Sequence, residues 1–402
     1  MENELSRKWF SDRFEAAKAG QAVEIYNDIV ARLGRRLPPE ESTHYVFGWI
    51  IYYALHQSAD SDIINRRKML SRYVKLHVPR PHKLHSMIMT EAVRLSKDSG
   101  EQAFVQRKNP LAEFSFPKFL KYWDLENLRP GDWKRKEIDG KTTSSLVEKI
   151  ITRYVSDTGD NHYDPSPAIL KLVDEALEQF PDSANLKSQA SDLLRKTEDG
   201  WERSLQLARE AVLLAPGKFY LWSRLADHID HFEKPNLSFS LEYKALSAPG
   251  PKEYKINIII ALAAKLIDHK AYPQALYLLD QADEISKKQG WKISDLSRSM
   301  RSRIPAGTEP KDPTPGFKKI AHLADEFVYE ALPSIAVTKT YHKNPSESRY
   351  KNSPTAWRVT DATGHSFWFT PSRFGINPDL PLGTSLTIRV SADKIVHAVL
   401  NK

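Results

Sequence analysis

The chain has 402 residues, of which 41% are hydrophobic and 27% charged, and it contains 16 Phe, 16 Tyr and 9 Trp. This composition excludes a disordered chain, and the longest apolar run, residues 258–264, is far short of the roughly 20 residues that a membrane-spanning helix needs. There is no cysteine, which excludes disulfides, thiolate metal sites and cysteine nucleophiles, and the net charge of +8 permits an anionic partner without requiring one.

Residues 1–145 are predicted to form an N-terminal helical domain. Apolar residues recur at helical spacing between Phe10 and Leu33, and proline pairs separate this stripe from further helices near residues 44–55, 63–73 and 84–95. The charged first ten residues lack the apolar core of a secretion signal, so we expect a cytoplasmic protein. Residues 101–145 predict an aromatic connector, with a helix restarting near Ser145.

Residues 146–301 carry an internal repeat. Pro181, Pro216 and Pro249 are spaced 35 and 33 residues apart, and an alanine stands four or five residues before each of them. Small residues let two antiparallel helices approach closely, and a proline ends the second helix of a pair. The spacing therefore predicts consecutive helix pairs.

The repeat resembles the tetratricopeptide family, whose period is 34 residues. Residues 222–229, WSRLADHI, match the pattern W-x2-L-G-x2-Y, with Ala226 in place of Gly and Ile229 in place of Tyr. A degenerate match at Phe47, Gly48 and Ile51 extends the resemblance to the N-terminal helices. The resemblance implies an α-solenoid of TPR-like helix pairs, whose groove binds a protein partner or peptide.

Residues 302–332 are predicted to be a proline-rich linker followed by one helix. Four prolines fall within residues 302–316, and an amphipathic stripe runs from Ile320 to Ala331. We expect this helix to close the C-terminal end of the repeat array.

Residues 333–402 predict a small all-β barrel. The hydrophobic period changes to two, and five short strands fit into this segment, with a hairpin around residues 361–364. The strand pattern and the ending resemble an oligonucleotide-binding (OB) or cold-shock-like barrel, although an SH3-like barrel would give much the same pattern. The fold class expected for the whole chain is therefore mainly α, a solenoid followed by this barrel.

No catalytic, cofactor or metal-binding motif is recognised in the sequence. Gly140-Lys141-Thr142 lacks the glycine that a phosphate loop needs five residues earlier, where Arg135 stands. The histidines at 77, 82 and 85 are interrupted by prolines and do not share a helix face. We therefore expect a protein that is not an enzyme, with an unrecognised active site as the remaining alternative.

One basic segment lies in the N-terminal domain. No Asp or Glu occurs between Asp62 and Glu91, and several cations of this stretch share one side of a helix. The alternatives are an ordinary solvated face, a groove that follows phosphates and a protein-binding surface. The candidate residues are Arg66, Arg67, Arg72, Lys75, Arg80 and Lys83.

The second basic segment is the predicted barrel, which holds nine Lys or Arg against four Asp or Glu from residue 334 onward. Aromatic residues alternate with these cations, and single-stranded nucleic acid is bound by cations that hold phosphates and rings that stack on bases. Phe367 and Phe369 share one face of a strand and Trp368 takes the other, but the sequence leaves open which face is core. The candidate binding residues are Arg349, Tyr350, Lys351, Trp357, Arg358, Phe367, Phe369, Arg373 and Phe374.

These patterns together predict a non-enzymatic adaptor. The repeats would hold a protein partner, and the barrel would bind single-stranded RNA or DNA. Repeat-plus-barrel proteins of this kind are similar to accessory components of bacterial defence and stress systems, such as phage-defence and tellurite-resistance-like loci. The alternatives are that the rings only fill the barrel core, or that the chain is a protein scaffold that never binds nucleic acid.

Overall fold

Most of the described residues are helical, and an antiparallel sheet lies near the C-terminal end, as the sequence predicts. The computed structural model describes residues 6–59, 61–105, 115–123, 125–158, 164–343, 355–374, 376–391 and 394–401. The chain divides into two units, Met1–Pro181 and Asp182–Lys402.

The first unit contains helices on both sides of a short β-hairpin. Its helices are α1 (Arg7–Ala16), α2 (Ala22–Leu33), α3 (Glu41–Gln57), α4 (Ile63–Tyr73), α5 (Lys83–Val105), α6 (Phe116–Leu120), α7 (Leu146–Thr158) and α8 (Pro167–Gln179). The hairpin pairs β1 (Lys136–Ile138) with β2 (Lys141–Thr143).

Helix α3 is the central helix of the N-terminal packing. Phe47 is fully buried, and its ring contacts Phe10 of α1 and Tyr26 of α2, with centroids 5.8 and 6.2 Å away. A Cβ at Gly48 would lie 3.0 Å from Leu84 Cδ2 of α5, closer than side chains normally pack. Glycine at this position therefore lets α3 approach α5 closely.

Helix α7 begins at Leu146, next to the predicted restart at Ser145. The Ser145 hydroxyl accepts from the Glu148 N–H (3.1 Å), and the Glu148 carboxylate accepts from the Ser145 N–H (2.9 Å). This reciprocal pair satisfies two of the backbone donors that a helix start leaves unpaired. Arg135 also donates to both oxygens of Glu148, and it thereby anchors the strand β1 side of the hairpin to α7.

The second unit opens with three pairs of packed helices: α9 (Ala184–Leu194) with α10 (Trp201–Leu214), α11 (Phe219–His231) with α12 (Pro235–Ser247), and α13 (Ile256–Asp268) with α14 (Tyr272–Lys288). Pro216 and Pro249 each follow the second helix of a pair by two residues, as the 33-residue spacing predicts. Fully buried alanines precede both prolines, at Ala211 and Ala245.

Two further helices follow the pairs, α15 (Asp295–Ser302) and α16 (Thr314–Tyr329). Helix α15 packs on α14, whereas α16 packs on α12 and α10, so α16 does not close the end of the array as we expected. The reason is that Ala324 and Val328 of α16 join the same core as the side chains of α10 to α12.

The sheet contains β3 (Ser334–Lys343), β4 (Ala356–Asp361), β5 (Ser366–Phe369), β6 (Ser385–Ser391) and β7 (Lys394–Leu400). All neighbours are antiparallel, in the order β5-β4-β3-β6-β7. Strand β6 returns to pair with β3 rather than with β5, so β6-β3-β4-β5 is a Greek key. Among the described residues the edge strands β5 and β7 are not hydrogen-bonded to each other, and the closed barrel that we expected is not present there.

The sheet has its own core and a direct joint to α16. Its buried cluster includes Trp357, Val359 and Leu386 and contains no helical residue. At the joint, the Arg389 guanidinium donates to the Tyr329 carbonyl, and the His397 ring stacks on the Tyr329 ring with centroids 4.7 Å apart.

Candidate nucleic-acid interface

Three side chains form a row across the outer face of the sheet. Arg358 of β4 lies opposite Tyr341 of β3 on one side and opposite Trp368 of β5 on the other. Directly opposed residues of neighbouring strands point to the same face, so the three side chains are adjacent. We call Tyr341, Arg358 and Trp368 the outer row.

The outer row combines exposed rings with a cation. The side chains of Tyr341 and Trp368 are 40% and 54% exposed, and Arg358 is exposed as well. The two rings meet edge to face with centroids 5.8 Å apart, and the Arg358 guanidinium lies 5.6 Å from the Tyr341 centroid. This arrangement places one cation beside a pair of exposed rings that contact each other.

A β-bulge in β3 creates the row. The register shifts between Lys339, which pairs with Val359, and Tyr341, which pairs with Arg358. Without the extra residue Thr340, positions 339 and 341 would share a face, because side chains alternate along a strand. The bulge instead buries Lys339 and turns Tyr341 outward.

A chain of hydroxyl groups lies beside the outer row. Thr360 is 3.0 Å from Thr340 and 3.0 Å from Ser366, measured between side-chain oxygens, and the Thr340 hydroxyl can also donate to the Arg358 carbonyl at 3.2 Å. Hydroxyls both donate and accept hydrogen bonds, so this edge of the row can meet sugar or base groups of either polarity.

The rings on the opposite face are core. Trp357 is fully buried, Phe367 and Phe369 are nearly so, and the Trp357 indole N–H donates to the Pro378 carbonyl at 3.0 Å. Bases cannot stack on these three rings, so their assignment to a binding surface is wrong. Phe374 packs partly buried against the same core.

Lys339 is also internal, although the sequence counts it among the cations of the barrel. Its ammonium donates to the Leu380 carbonyl, lies 3.3 Å from His342 Nδ1 and stands 4.1 Å from the Trp357 ring centroid. Desolvation lowers the pKa of Lys339, against the attraction of Asp379. This cation therefore supports the core and is not available to a phosphate.

Of the remaining sequence candidates, Arg358 alone is placed on the outer face in the described residues. Arg349, Tyr350 and Lys351, together with the side chain of Arg373, lie outside what the structure describes. The sequence assignment omitted Tyr341 and Trp368. The alternation in β4 could have identified Trp368. Arg358 stands between two apolar residues and therefore points away from the core, and Trp368 lies opposite Arg358 on the same face.

The basic segment of the first unit is partly internal. Arg66 is fully buried, 3.7 Å from Glu91, so its assignment to a surface patch is wrong. Arg72 donates to the carbonyls of Gly34 and Arg36, at the end of α2. The other predicted residues of this segment, which are Arg67, Lys75, Arg80 and Lys83, reach the surface to different extents.

Ion pairs connect the first helices of the pairs in the second unit. Arg224 of α11 lies 3.1 Å from Asp192 of α9, and Lys265 of α13 lies 2.8 Å from Asp230 of α11. Lys265 also lies 3.2 Å from the fully buried Glu242 of α12. Desolvation raises the pKa of Glu242 to about 7, despite the attraction of the Lys265 ammonium.

The described residues show no metal cluster and no membrane-spanning helix. They include no group of three His, Asp or Glu arranged to hold a metal ion. No helix among them has both the length and the apolar character needed to cross a bilayer. An open surface pocket of about 600 Å³ is lined by Tyr272, Pro273 and residues 308–311, and the Thr308 hydroxyl at its edge donates to the Pro305 carbonyl.

A family model matches part of the second unit. Residues 187–324 match a family described as a domain of unknown function (DUF7017). This segment starts within α9 and ends within α16, so it contains the helix pairs and stops before the sheet. No curated protein matches the chain.

Proposed function

We propose that the chain is a non-enzymatic adaptor that binds single-stranded nucleic acid on the outer face of its C-terminal sheet and a protein partner along its helix pairs. The outer row carries the first part of this proposal. A guanidinium beside two exposed rings offers the two interactions that unpaired strands use, charge attraction to phosphate and stacking on bases.

The strand order supports an OB-like barrel. A Greek key with β7 beside β6 is the arrangement of a five-stranded barrel opened between β5 and β7. In OB-folds the second and third strands and the loop after the first strand bind oligonucleotides. Here those strands are β4 and β5, which carry Arg358 and Trp368.

The helix pairs support the second part of the proposal. Three consecutive pairs with the tetratricopeptide spacing suit an extended partner segment, because stacked pairs expose a continuous surface. Purification of the tagged full-length chain from its host, with and without nuclease, tests this part. A protein that stays bound after nuclease treatment supports it, and a partner lost on that treatment was held through nucleic acid.

Substitution of Trp368 tests the nucleic-acid part. Because Trp368 is half exposed, Trp368→Ala removes a stacking surface worth about 1–3 kcal/mol per base without opening the core. We expect the dissociation constant of the full-length protein for a labelled single strand to rise about 5- to 150-fold. Fluorescence anisotropy at low salt measures this change.

Trp291→Ala is the matched control, since Trp291 is a similarly exposed tryptophan in the helical part of the same unit. It should leave binding unchanged, and both variants should keep the circular dichroism spectrum of the parent protein. Equal affinity of Trp368→Ala and the parent protein would contradict the proposal. So would a parent protein that binds no single strand at low salt, which would leave the protein scaffold as the function.

A further inference from the structure

A second cationic surface lies in the first unit, and it combines two residues of the basic segment with two residues from about 30 positions earlier in the chain. Arg35 and Arg36 follow α2 and are exposed, as are Lys68 of α4 and Lys75 just after it. We call these four residues the loop–helix surface. It lies in a different unit from the outer row and contains none of its residues.

Arg72 brings the two halves of the loop–helix surface together. Its guanidinium donates to the Arg36 carbonyl at 3.1 Å and to the Gly34 carbonyl, and it also bonds to the Tyr26 side chain. A cation at the end of α2 is favourable because the last carbonyls of a helix carry partial negative charge. Arg72 is thus a fixed link, and the loop with Arg35 and Arg36 is held against α4.

The helical spacing then places Lys68 and Lys75 beside that link. Positions 68, 72 and 75 follow one another at i, i+4 and i+7, which is one side of a helix and its continuation. The buried residues of α4, among them Met69 and Tyr73, occupy the other side. Arg36 thus supplies a carbonyl to Arg72, and the exposed Lys68 and Lys75 lie within one turn of Arg72 along the chain.

The acidic residues close in sequence already have partners. Glu41 lies 2.7 Å from His77, Glu40 accepts from the Ser42 hydroxyl, and Asp62 accepts from Asn65 at the start of α4. These carboxylates keep their negative charge, but within the described residues none of them forms an ion pair with the four cations. The surface can therefore attract anions.

We propose that the loop–helix surface binds the phosphate backbone of duplex nucleic acid without reading its sequence. Backbone binding needs cations at the surface, whereas binding of unpaired strands also needs rings for stacking. The only aromatic residue of α4 is Tyr73, which is fully buried. The chemistry of this surface therefore fits paired strands, in contrast to the outer row.

The salt dependence of duplex binding tests this proposal on the full-length chain. For B-DNA, the logarithm of the association constant falls with the logarithm of salt concentration by about 0.9 for each phosphate contact. The double variant Lys68→Ala/Lys75→Ala should reduce that slope by about 1.8, and Arg35→Ala/Arg36→Ala should do the same. Arg72 is left unchanged because it holds the loop in place.

Two controls separate this surface from general charge and from the sheet. Lys149→Ala/Lys171→Ala removes two exposed lysines elsewhere in the first unit and should leave the slope unchanged. Trp368→Ala should weaken binding of a single strand while the slope for duplex stays at its parent value. Loss of the single-strand effect alone would count against the outer row and not against the loop–helix surface.

Two results would overturn the proposal. One is that both double variants, Lys68→Ala/Lys75→Ala and Arg35→Ala/Arg36→Ala, keep the salt slope of the parent protein for duplex. The other is a parent protein that fails to bind duplex at low salt, including the case in which vesicles of anionic lipid bind instead and the four cations prove to be required for them.

Discussion

Glu242 and Lys339 are two of the charged side chains buried in the second unit. Lys339 is enclosed by the sheet and bonded to a backbone carbonyl, and Glu242 is enclosed by helices and paired with Lys265. Burying a charge is costly unless hydrogen bonds and an opposite charge compensate for it. For Glu242 the compensation is partial, because desolvation outweighs the attraction of the Lys265 ammonium.

The raised pKa of Glu242 predicts how stability changes with pH. The folded-state value of about 7 lies above the ordinary value of 4.5, so the folded state binds this proton more tightly than the unfolded state does. The resulting stabilisation is full below about pH 4.5 and is lost as pH rises through about 7. Glu242→Gln removes this titration and keeps an acceptor for Lys265.

We therefore expect the unfolding free energy of the parent protein, relative to Glu242→Gln, to fall by on the order of 2 kcal/mol between about pH 5 and about pH 8. Denaturant titration at the two pH values measures the difference. Glu284→Gln, at an exposed helical site, should show no such change. A parent-minus-variant difference that is constant across this range would contradict the assigned pKa.

At the scale of single elements, close packing of the first helix pair depends on a glycine. Gly200 precedes α10, and a Cβ there would lie 1.9 Å from the Leu194 carbonyl oxygen and 2.2 Å from Thr197 Oγ1. The chain between α9 and α10 must shift to accept any side chain. Gly217, in the next interhelical turn, has no atom within 4 Å of such a Cβ.

These two glycines form a matched pair of variants. Gly200→Ala should lower the unfolding free energy by about 1–3 kcal/mol through overpacking, whereas Gly217→Ala should change it by less than about 1 kcal/mol. Thermal unfolding followed by circular dichroism compares the two. Equal melting temperatures for the variants would show that the turn before α10 relaxes at no cost.

At the scale of the whole molecule, the joint between α16 and the sheet makes the sheet part of the second unit. Besides the Arg389 and His397 contacts with Tyr329, Asp325 of α16 lies 3.7 Å from His397 and 2.6 Å from Lys244 of α12. Burial acts to raise the pKa of Asp325, but the hydrogen bond with His397 and the charge of Lys244 outweigh it and lower that pKa. One chain of polar contacts thus joins the helix pairs, α16 and the sheet.

Arg389→Ala should loosen this joint. The guanidinium donates to carbonyls at the end of α16. Its loss makes the connection between α16 and β3 open more often to solvent and protease. We expect faster amide hydrogen exchange and faster proteolysis around residues 330–333, with little change inside the sheet. Arg358→Ala, on the outer face, is the control, and the same exchange rates in both variants would show that the joint does not depend on Arg389.

Local patterns in the sequence predicted most helices and the C-terminal strands, but not the β1–β2 hairpin in the segment expected to be a connector. The spacing of Pro216 and Pro249 predicts the length of a helix pair, and the change to a period of two predicts the C-terminal strands. Both signals depend on residues a few positions apart, whose side chains share a face for geometric reasons alone. The cationic and aromatic character of the last 69 residues is likewise a property of composition.

Only the tertiary structure decided which side chains are available to a ligand. Burial depends on elements that are distant in sequence, so the partners of Trp357, Phe367 and Phe369 could not be identified from their own strands. The bulge at Thr340 reverses the face of Tyr341, and a contact across 36 residues assigns Arg72 to the end of α2. The candidate interface therefore moved from the rings that the sequence favoured to the opposite face of the same strands.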